Sequence, residues 1–410
     1  MLKSKLDKYN QTHLLSFIDE LDENAQNQYL DEIDSIDFDQ LSKLYQKSID
    51  VLDQTDVGKG VITPIECTDK NSLSKEQQDF YYDFGINIMK QGKYAALTMA
   101  GGQGTRLGYN GPKGSYVLAA PIGKSLFEIQ CNRLIERNNR IGCTIPWYIM
   151  TSKENDSSTK AFFEENNYFG YEKSSVYFFT QNCLPMLLEN GRIVMDGKNK
   201  IKQGADGHGG VFKAASDTGA LDDMKARGVE WVFVGGIDNI LVRLEDPMFL
   251  GFVAYNKYKL GGKSLIKRDP YEKAGVFCKK NNKPCVIEYT EISEEMARMT
   301  DSEGNYIYGD LHILCNLFHI SVFEDMKDTG LEYHVAHKKT NYIDETGNVV
   351  LAESPNAYKY EAFMFDAFEK YDSMGIFRVK REEEFAPIKN KEGQDSPQTA
   401  SELYLACENK

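Results

Sequence analysis

The chain has 410 residues, 41% hydrophobic and 27% charged, with a formal net charge of −14. That balance describes a globular protein large enough for more than one structural unit. It argues against a general nucleic-acid binder, which needs a basic surface, and no apolar run reaches the length of about 18 residues that a membrane span requires. The opening MLKSKLDKYNQTHLL lacks the apolar core of a secretion signal. Eight cysteines (Cys67, Cys131, Cys143, Cys183, Cys278, Cys285, Cys315, Cys407) show no C-x-x-C pair. They read as reduced thiols of a cytoplasmic protein.

Residues 1–92 read as acidic and helical, with a packing role. Leu14, Leu15, Phe17, Ile18 and Leu21 fall near helical spacing. Leu30, Ile33, Ile36 and Phe38 suggest a second helix, and Leu41, Leu44, Tyr45 and Ile49 a third. Ser74-x-x-Gln77 reads as a capping box for a helix reaching about residue 91. From Tyr94 onward strands and helices alternate, the pattern of a layered α/β fold. Strands are expected at 94–99, 146–151, 176–179, 231–234, 263–268, 276–279, 285–289, 314–320 and 377–380. Helices are expected at 125–138, 157–166, 246–258 and 293–299, after residue 321, and over 360–368.

The densest stretch runs from Tyr94 to Leu118: YAALTMAGGQGTRLGYNGPKGSYVL. Its apolar start suits a strand buried on both faces. Gly101-Gly102-Gln103-Gly104 then lets main-chain N–H groups approach a ligand and form a concave anion site. Arg106 and Lys113 add a planar fork and a point charge, both suited to phosphate. The dinucleotide fingerprint fails, because Leu107 stands where its last glycine belongs. The Walker pattern also fails, with Leu118 and Lys257 where the first glycine belongs before Gly123-Lys124-Ser125 and Gly262-Lys263-Ser264.

In open α/β sheets ligands bind at the carboxyl ends of strands. The glycine loop, Gln181 and Asp238 all follow expected strands. Asp238 could cap a turn, but beside a phosphate loop it is better read as a ligand for Mg²⁺, which prefers oxygen and shares its ligands with phosphates. Gly204 to Gly210, with Gly207 and His208, is either a close approach to a base or sugar or a plain turn. His334-x-x-His337 lacks a third ligand and adjoins Lys338 and Lys339, so zinc is discounted. Glu288 and Asn316 sit at apolar strands, either satisfied in the core or facing sugar hydroxyls. Lys389 lies in a polar stretch where a solvated lysine is the default.

The run G-G-x-G-T-R-L-G followed by P-K-G resembles the UDP-sugar pyrophosphorylase family, most closely its UDP-N-acetylhexosamine branch. The resemblance extends in order through Trp147-Tyr148-Ile149-Met150-Thr151-Ser152, Ile237-Asp238-Asn239-Ile240-Leu241-Val242-Arg243, Val286-Ile287-Glu288-Tyr289-Thr290-Glu291-Ile292, His334-Val335-Ala336-His337-Lys338-Lys339 and Phe385-Ala386-Pro387-Ile388-Lys389-Asn390. It implies an α/β fold, a Rossmann-like three-layer nucleotidyltransferase domain with a central mixed β-sheet and an N-terminal helical segment. The implied organisation is that segment over 1–92, a uridylyltransferase catalytic domain over 93–380 and a tail over 381–410 that contributes Lys389. The implied reaction joins UTP and a sugar 1-phosphate to give UDP-sugar and pyrophosphate, with Mg²⁺.

By resemblance, Gly101, Gly102, Gln181 and Gly207 meet uracil. Arg106 and Lys113 meet the UTP phosphates, Lys389 reaches phosphate from the tail, and Asp238 holds the metal. Gly275, Glu288 and Asn316 face the sugar. N-acetylglucosamine 1-phosphate is the leading acceptor. His208 stands where that branch carries Asn, which keeps glucose or galactose 1-phosphate open. A non-catalytic UDP-sugar sensor is the alternative of another class, and a monomer or weak homo-oligomer is expected. Since the chain stops soon after Lys389, the smaller C-terminal domain of eukaryotic members is expected to be missing.

Overall fold

The computed structural model describes residues 2–53, 60–328 and 330–408. The chain forms two compact units. One comprises residues 1–59, 182–210 and 331–363, the other 60–181, 211–330 and 364–410. Both are assembled from separated stretches, whereas the expected segments ran consecutively along the chain.

The first unit carries helices Leu2–Lys8, Glu23–Asp34 and Phe38–Asp53. The helix suggested by Leu14 to Leu21 is instead two short 3-10 turns, Thr12–Leu15 and Ile18–Glu20. Tertiary bonds explain the change. Gln11 Nε2 donates to Gly191 O at 2.8 Å, and Gln11 Oε1 accepts from Ile193 N at 2.9 Å. His13 Nε2 bonds Ile193 O at 2.8 Å. These fix the chain where a continuous helix would have to rotate.

Residues 360–368, expected as a helix, also differ. They form strand Ala357–Ala362 and then the 3-10 segment Met364–Lys370. Tyr358, Tyr360 and Ala362 are buried while Lys359 and Glu361 are only partly so, the period of two that a strand requires. This strand lies between Tyr333–Lys338 and Leu187–Leu188 in a three-stranded antiparallel sheet. Leu14, Tyr29, Ile33, Phe38, Leu187, Tyr358 and Tyr360 share the unit's main core.

The second unit is built on an 11-stranded mixed sheet. Ten of its strands are labelled β1 Thr68–Asp69, β2 Tyr94–Met99, β3 Trp147–Thr151, β4 Val176–Thr180, β5 Trp231–Gly236, β6 Leu260–Ile266, β7 Val276–Lys280, β8 Lys283–Ile287, β9 Asp310–His319 and β10 Gly375–Arg378. The main path is β1-β10-β6-β9-β5-β2-β3-β4. β9 runs antiparallel to both β6 and β5, while β5, β2, β3 and β4 are mutually parallel neighbours. The β7–β8 hairpin joins β9 through a single pairing, Val276 with Leu311. β2 and β5 are wholly buried, as their apolar runs predict.

Helices α1 Lys75–Lys90, α2 Leu126–Ile141, α3 Asp156–Glu165, α4 Pro247–Tyr255 and α5 Pro397–Glu408 belong to the same unit. α1 opens with the expected capping box of Ser74 and Gln77. It meets α4 backbone to backbone. A Cβ on Gly85 would lie 1.8 Å from Pro247 O, and one on Gly251 would lie 1.8 Å from Tyr81 O. Gly85→Ala should therefore force the two helices apart and lower stability by about 3 kcal/mol, read from thermal or urea unfolding. Retained stability would show that the crossing is loose.

All eight cysteines are free. Among the described residues, no helix is long and apolar enough to cross a membrane.

Candidate active site

Because β5, β2, β3 and β4 are parallel and adjacent, their carboxyl ends line one edge of the sheet. Gly236 pairs in register with Met99, Met99 with Met150, and Thr151 with Thr180. The residues that follow these ends are Asp238, the glycine loop, Ser152 and Gln181. One edge of the second unit thus gathers most of the expected site.

The glycine loop is folded by its own backbone. Gly104 N donates to Gly111 O at 2.9 Å, and Lys113 N donates to Gly102 O at 3.0 Å. The second bond returns Lys113 to the mouth of the loop. Gly102 is exposed, and a Cβ there would touch nothing within 4 Å. Its backbone is open to a ligand. Gly101 is different, since a Cβ would come within 3.1 Å of Gln181 Oε1 and 3.5 Å of Ser152 Cβ. Its lack of a side chain lets Gln181 close against the loop.

Three cations and one carboxylate share this edge. Lys113 Nζ lies 3.8 Å from Asp238 Oδ2. Burial lowers the Lys113 pKa; the charges of Lys389 and Arg106 add to the lowering, and Asp238 opposes it. Asp238 folds back on its strand, where a Cβ on Gly236 would lie 2.7 Å from its Oδ1.

Lys389 is brought in by a backbone strap. Asn239 Nδ2 donates to Glu384 O at 2.7 Å, and Asn239 Oδ1 accepts from Ala386 N at 2.8 Å. Ile388 N donates to Asp238 O at 2.8 Å. The exposed Lys389 Nζ stands 3.8 Å from Asp395 Oδ2. A lysine that composition marks as merely solvated is thus tied to the metal candidate through the main chain.

Gly275 and Glu288 are brought together at the open end of the β7–β8 hairpin, with Glu288 Oε1 only 3.1 Å from where a Gly275 Cβ would be. Asn316 lies on β9 and is fully buried. Gly207 and His208 belong to the first unit. Gly207 has φ +85°, and a Cβ there would strike Ala362 O at 2.3 Å. The His208 ring stacks on Phe363 at 5.5 Å.

Residues 38–406 match the family described as UTP–glucose-1-phosphate uridylyltransferase. The chain belongs to this family of uridylyltransferases. A mouse protein named UDP-N-acetylhexosamine pyrophosphorylase-like protein 1 is 36% identical over 434 residues, covering 99% of this chain and 83% of the relative. The Saccharomyces cerevisiae UDP-N-acetylglucosamine pyrophosphorylase is 36% identical over 84% of this chain and 75% of its own. The crystal structure of the uridine diphosphate N-acetylglucosamine pyrophosphorylase from Trypanosoma brucei superimposes with a TM-score of 0.85 at 29% identity, covering 98% of this chain and 83% of that one.

The uridylyltransferase also holds its glycine loop with residues that sequence reading passes over. Asn155 precedes α3 and reads as an ordinary helix cap, yet its side chain makes no capping bond. It turns inward instead. Its Nδ2 donates to Ala100 O at 3.0 Å and Gly102 O at 3.3 Å, and its Oδ1 accepts from Ser152 N at 2.8 Å. A second buried chain runs from Trp147 Nε1 to Thr98 Oγ1 at 2.9 Å, from Thr98 to Gln130 Oε1 at 2.9 Å, and from Gln130 Nε2 to Gly236 O at 3.3 Å. It links the strand before the glycine loop to the strand before Asp238. Asn155→Ala should cost about 2 kcal/mol, because the buried Ala100 carbonyl loses this donor. It should also raise KM for the nucleotide more than KM for the second substrate, measured by varying each in turn. Equal shifts would show that Asn155 does not act through the loop.

Proposed function

We propose that this protein transfers UMP from UTP to N-acetylglucosamine 1-phosphate, giving UDP-N-acetylglucosamine and pyrophosphate. The observation that carries the reading is the gathering of Arg106, Lys113, Lys389 and Asp238 beside an open glycine loop on one sheet edge. The names of the yeast and trypanosome relatives support the sugar, and that of the mouse relative supports an N-acetylhexosamine. Eight free cysteines support a cytoplasmic setting.

In this reading a sugar phosphate oxygen attacks the α-phosphorus of UTP in line. The new O–P bond forms as the bond to the β-phosphate oxygen breaks, and pyrophosphate carries the electron pair away. The attacking phosphate is already ionised, so no covalent nucleophile or strong base is needed. Catalysis is positioning and charge neutralisation. Gly101, Gly102 and Gln181 take the uracil. Arg106, Lys113 and Lys389 hold the phosphates. Gly275, Glu288 and Asn316 define the sugar side.

Asp238 is the candidate for Mg²⁺. Its carboxylate is 33% exposed, and no group of three or more His, Cys, Asp or Glu able to hold a metal occurs among the described residues. That fits a hard cation which takes its remaining ligands from phosphate and water rather than from a protein cage. Bound there, Mg²⁺ would neutralise charge on the phosphate oxygens.

A second reading, with glucose or galactose 1-phosphate as acceptor, is favoured by His208. It stands where the resembled N-acetylhexosamine branch carries Asn, and its ring stacks on Phe363 at 5.5 Å. The test is pyrophosphate release with UTP and a panel of sugar 1-phosphates, with ATP, CTP and dTTP as controls. UTP-dependent release with N-acetylglucosamine 1-phosphate is expected. Preference for glucose or galactose 1-phosphate would reassign the acceptor. Tight UDP-sugar binding without release by any sugar would leave a sensor.

A further inference from the structure

His312 belongs to none of the roles above. It sits on β9 four residues before Asn316, a separation of about 13 Å in a regular strand. Here His312 Nε2 lies 3.2 Å from Asn316 Oδ1. The strand is bulged between them. Asn316 pairs with Gly262 and His312 with Ser264, so β9 passes four residues while β6 passes two. Leu314, inside the bulge, has φ +55°. Bulges of this kind re-aim side chains, and they recur next to active sites.

The hydrogen bonds fix the tautomer. Asn316 Nδ2 points at Met364 Sδ at 3.5 Å, so its Oδ1 faces the imidazole and His312 Nε2 must carry the proton. Nδ1 is then left as an acceptor. Burial pushes the His312 pKa down to about 4, and the bond to Asn316 opposes the shift only in part. The ring therefore stays neutral at physiological pH. Phe277, Phe365 and Phe368 pack edge-on around it and hold its plane.

The same residue ties the sugar-side candidates together. Its own N–H donates to Gly275 O at 2.8 Å. Glu288 stands across the missing Cβ of Gly275. Asn316 is fully buried, with both ends of its amide engaged, whereas His312 is only partly buried.

We propose that His312 is a specificity-determining ligand of the sugar, its Nδ1 accepting a hydrogen bond from a sugar hydroxyl or amide N–H while Asn316 orients the ring. This rests on the UDP-sugar reading of the site. It makes Asn316 a positioning residue and His312 the group that touches the ligand.

The test is calorimetric titration of the whole chain with UDP, UDP-N-acetylglucosamine and UDP-glucose. It uses the native protein, His312→Phe and His312→Gln. Phenylalanine keeps a ring in an aromatic surround, and glutamine restores an acceptor. His312→Phe should weaken the preferred UDP-sugar about tenfold, the value of one hydrogen bond, and leave UDP within twofold. His312→Gln should recover most of the loss. Unchanged UDP-sugar affinity in His312→Phe, or an equal loss for UDP, would overturn the inference while leaving the UDP-sugar reading intact. Failure of the native protein to bind any of the three would overturn both.

Discussion

Replacing Lys113 with methionine should lower kcat by about 10³-fold, as loss of a preorganised charge at a phosphoryl centre does. The thermal midpoint should stay level or rise. The two effects separate because of where the charge sits. Lys113 is largely buried, close to Lys389 and Arg106, and its pKa is lowered. The native state therefore holds this proton less tightly than the unfolded chain does. For a base the sign follows directly: stability rises with pH between the lowered native pKa and the unfolded one, so below that window the charge is a cost to the fold. A neutral side chain of similar length removes the cost. What it gives up is a 3.8 Å pair with a carboxylate that is one-third exposed, worth at most about 1 kcal/mol. Steady-state pyrophosphate release and thermal melts on the same preparation check both halves. A parallel fall in activity and stability would place Lys113 in the scaffold.

Lys263→Met should do the reverse, with its larger effect on stability. Lys263 is fully buried, paired with Asp246 at 2.6 Å and with Glu384 at closer range. Burial alone would raise the Asp246 pKa, but the Lys263 charge and hydrogen bond override it and hold the carboxyl well below its usual range. Burial alone would lower Lys263, and the two carboxylates hold it above the ordinary lysine range. Removing the cation leaves two carboxylates buried without it, at a cost of about 3–5 kcal/mol.

The pH dependence identifies the cause. In the native protein the Asp246 contribution is present above its unfolded pKa of about 3.9 and is lost as pH falls below it. In the variant burial of Asp246 is no longer overridden by the Lys263 charge and favours its protonation, so the deficit should shrink as pH falls through about 4. Urea unfolding at pH 7 and pH 4 reads this directly, and a constant deficit would assign the loss to packing. Because Glu384 O accepts from Asn239, the variant should also loosen the strap that presents Lys389.

Much of this architecture is legible in the sequence where one local pattern suffices. β2 and β5 are wholly buried and read as unbroken apolar runs. The capping box at Ser74 needs only its own four residues. The carboxyl ends that bear the glycine loop, Gln181 and Asp238 follow from strand recognition plus the general rule for α/β sheets.

What is not legible depends on partners far along the chain. Asn155 looks like a helix cap until Ala100 and Gly102 supply its acceptors. Lys263 fails a phosphate-loop pattern and shows nothing else, because its function is set by Asp246 and Glu384. The segment from Tyr360 to Phe368 has the apolar density of a helix, and only sheet pairing with residues 333–338 reveals a strand. Leu314 gives no signal of a bulge, since bulging belongs to the β6–β9 pair rather than to either sequence. The approach of His312 to Asn316 is hidden for the same reason: four residues apart on one strand, they meet only because the strand is bulged.

β10 has a consequence for the order in which the protein can mature. It lies inside the sheet, between β1 at residues 68–69 and β6 at residues 260–266, although it is contributed by residues 375–378. Until it leaves the ribosome, β1 and β6 each wait with an unpaired edge, and such long-range closures are slow. Lys389 is made later still. A nascent chain can therefore bury its parallel strands while the sheet is still open at β10, and the strap that carries Lys389 takes its place only after that gap is closed.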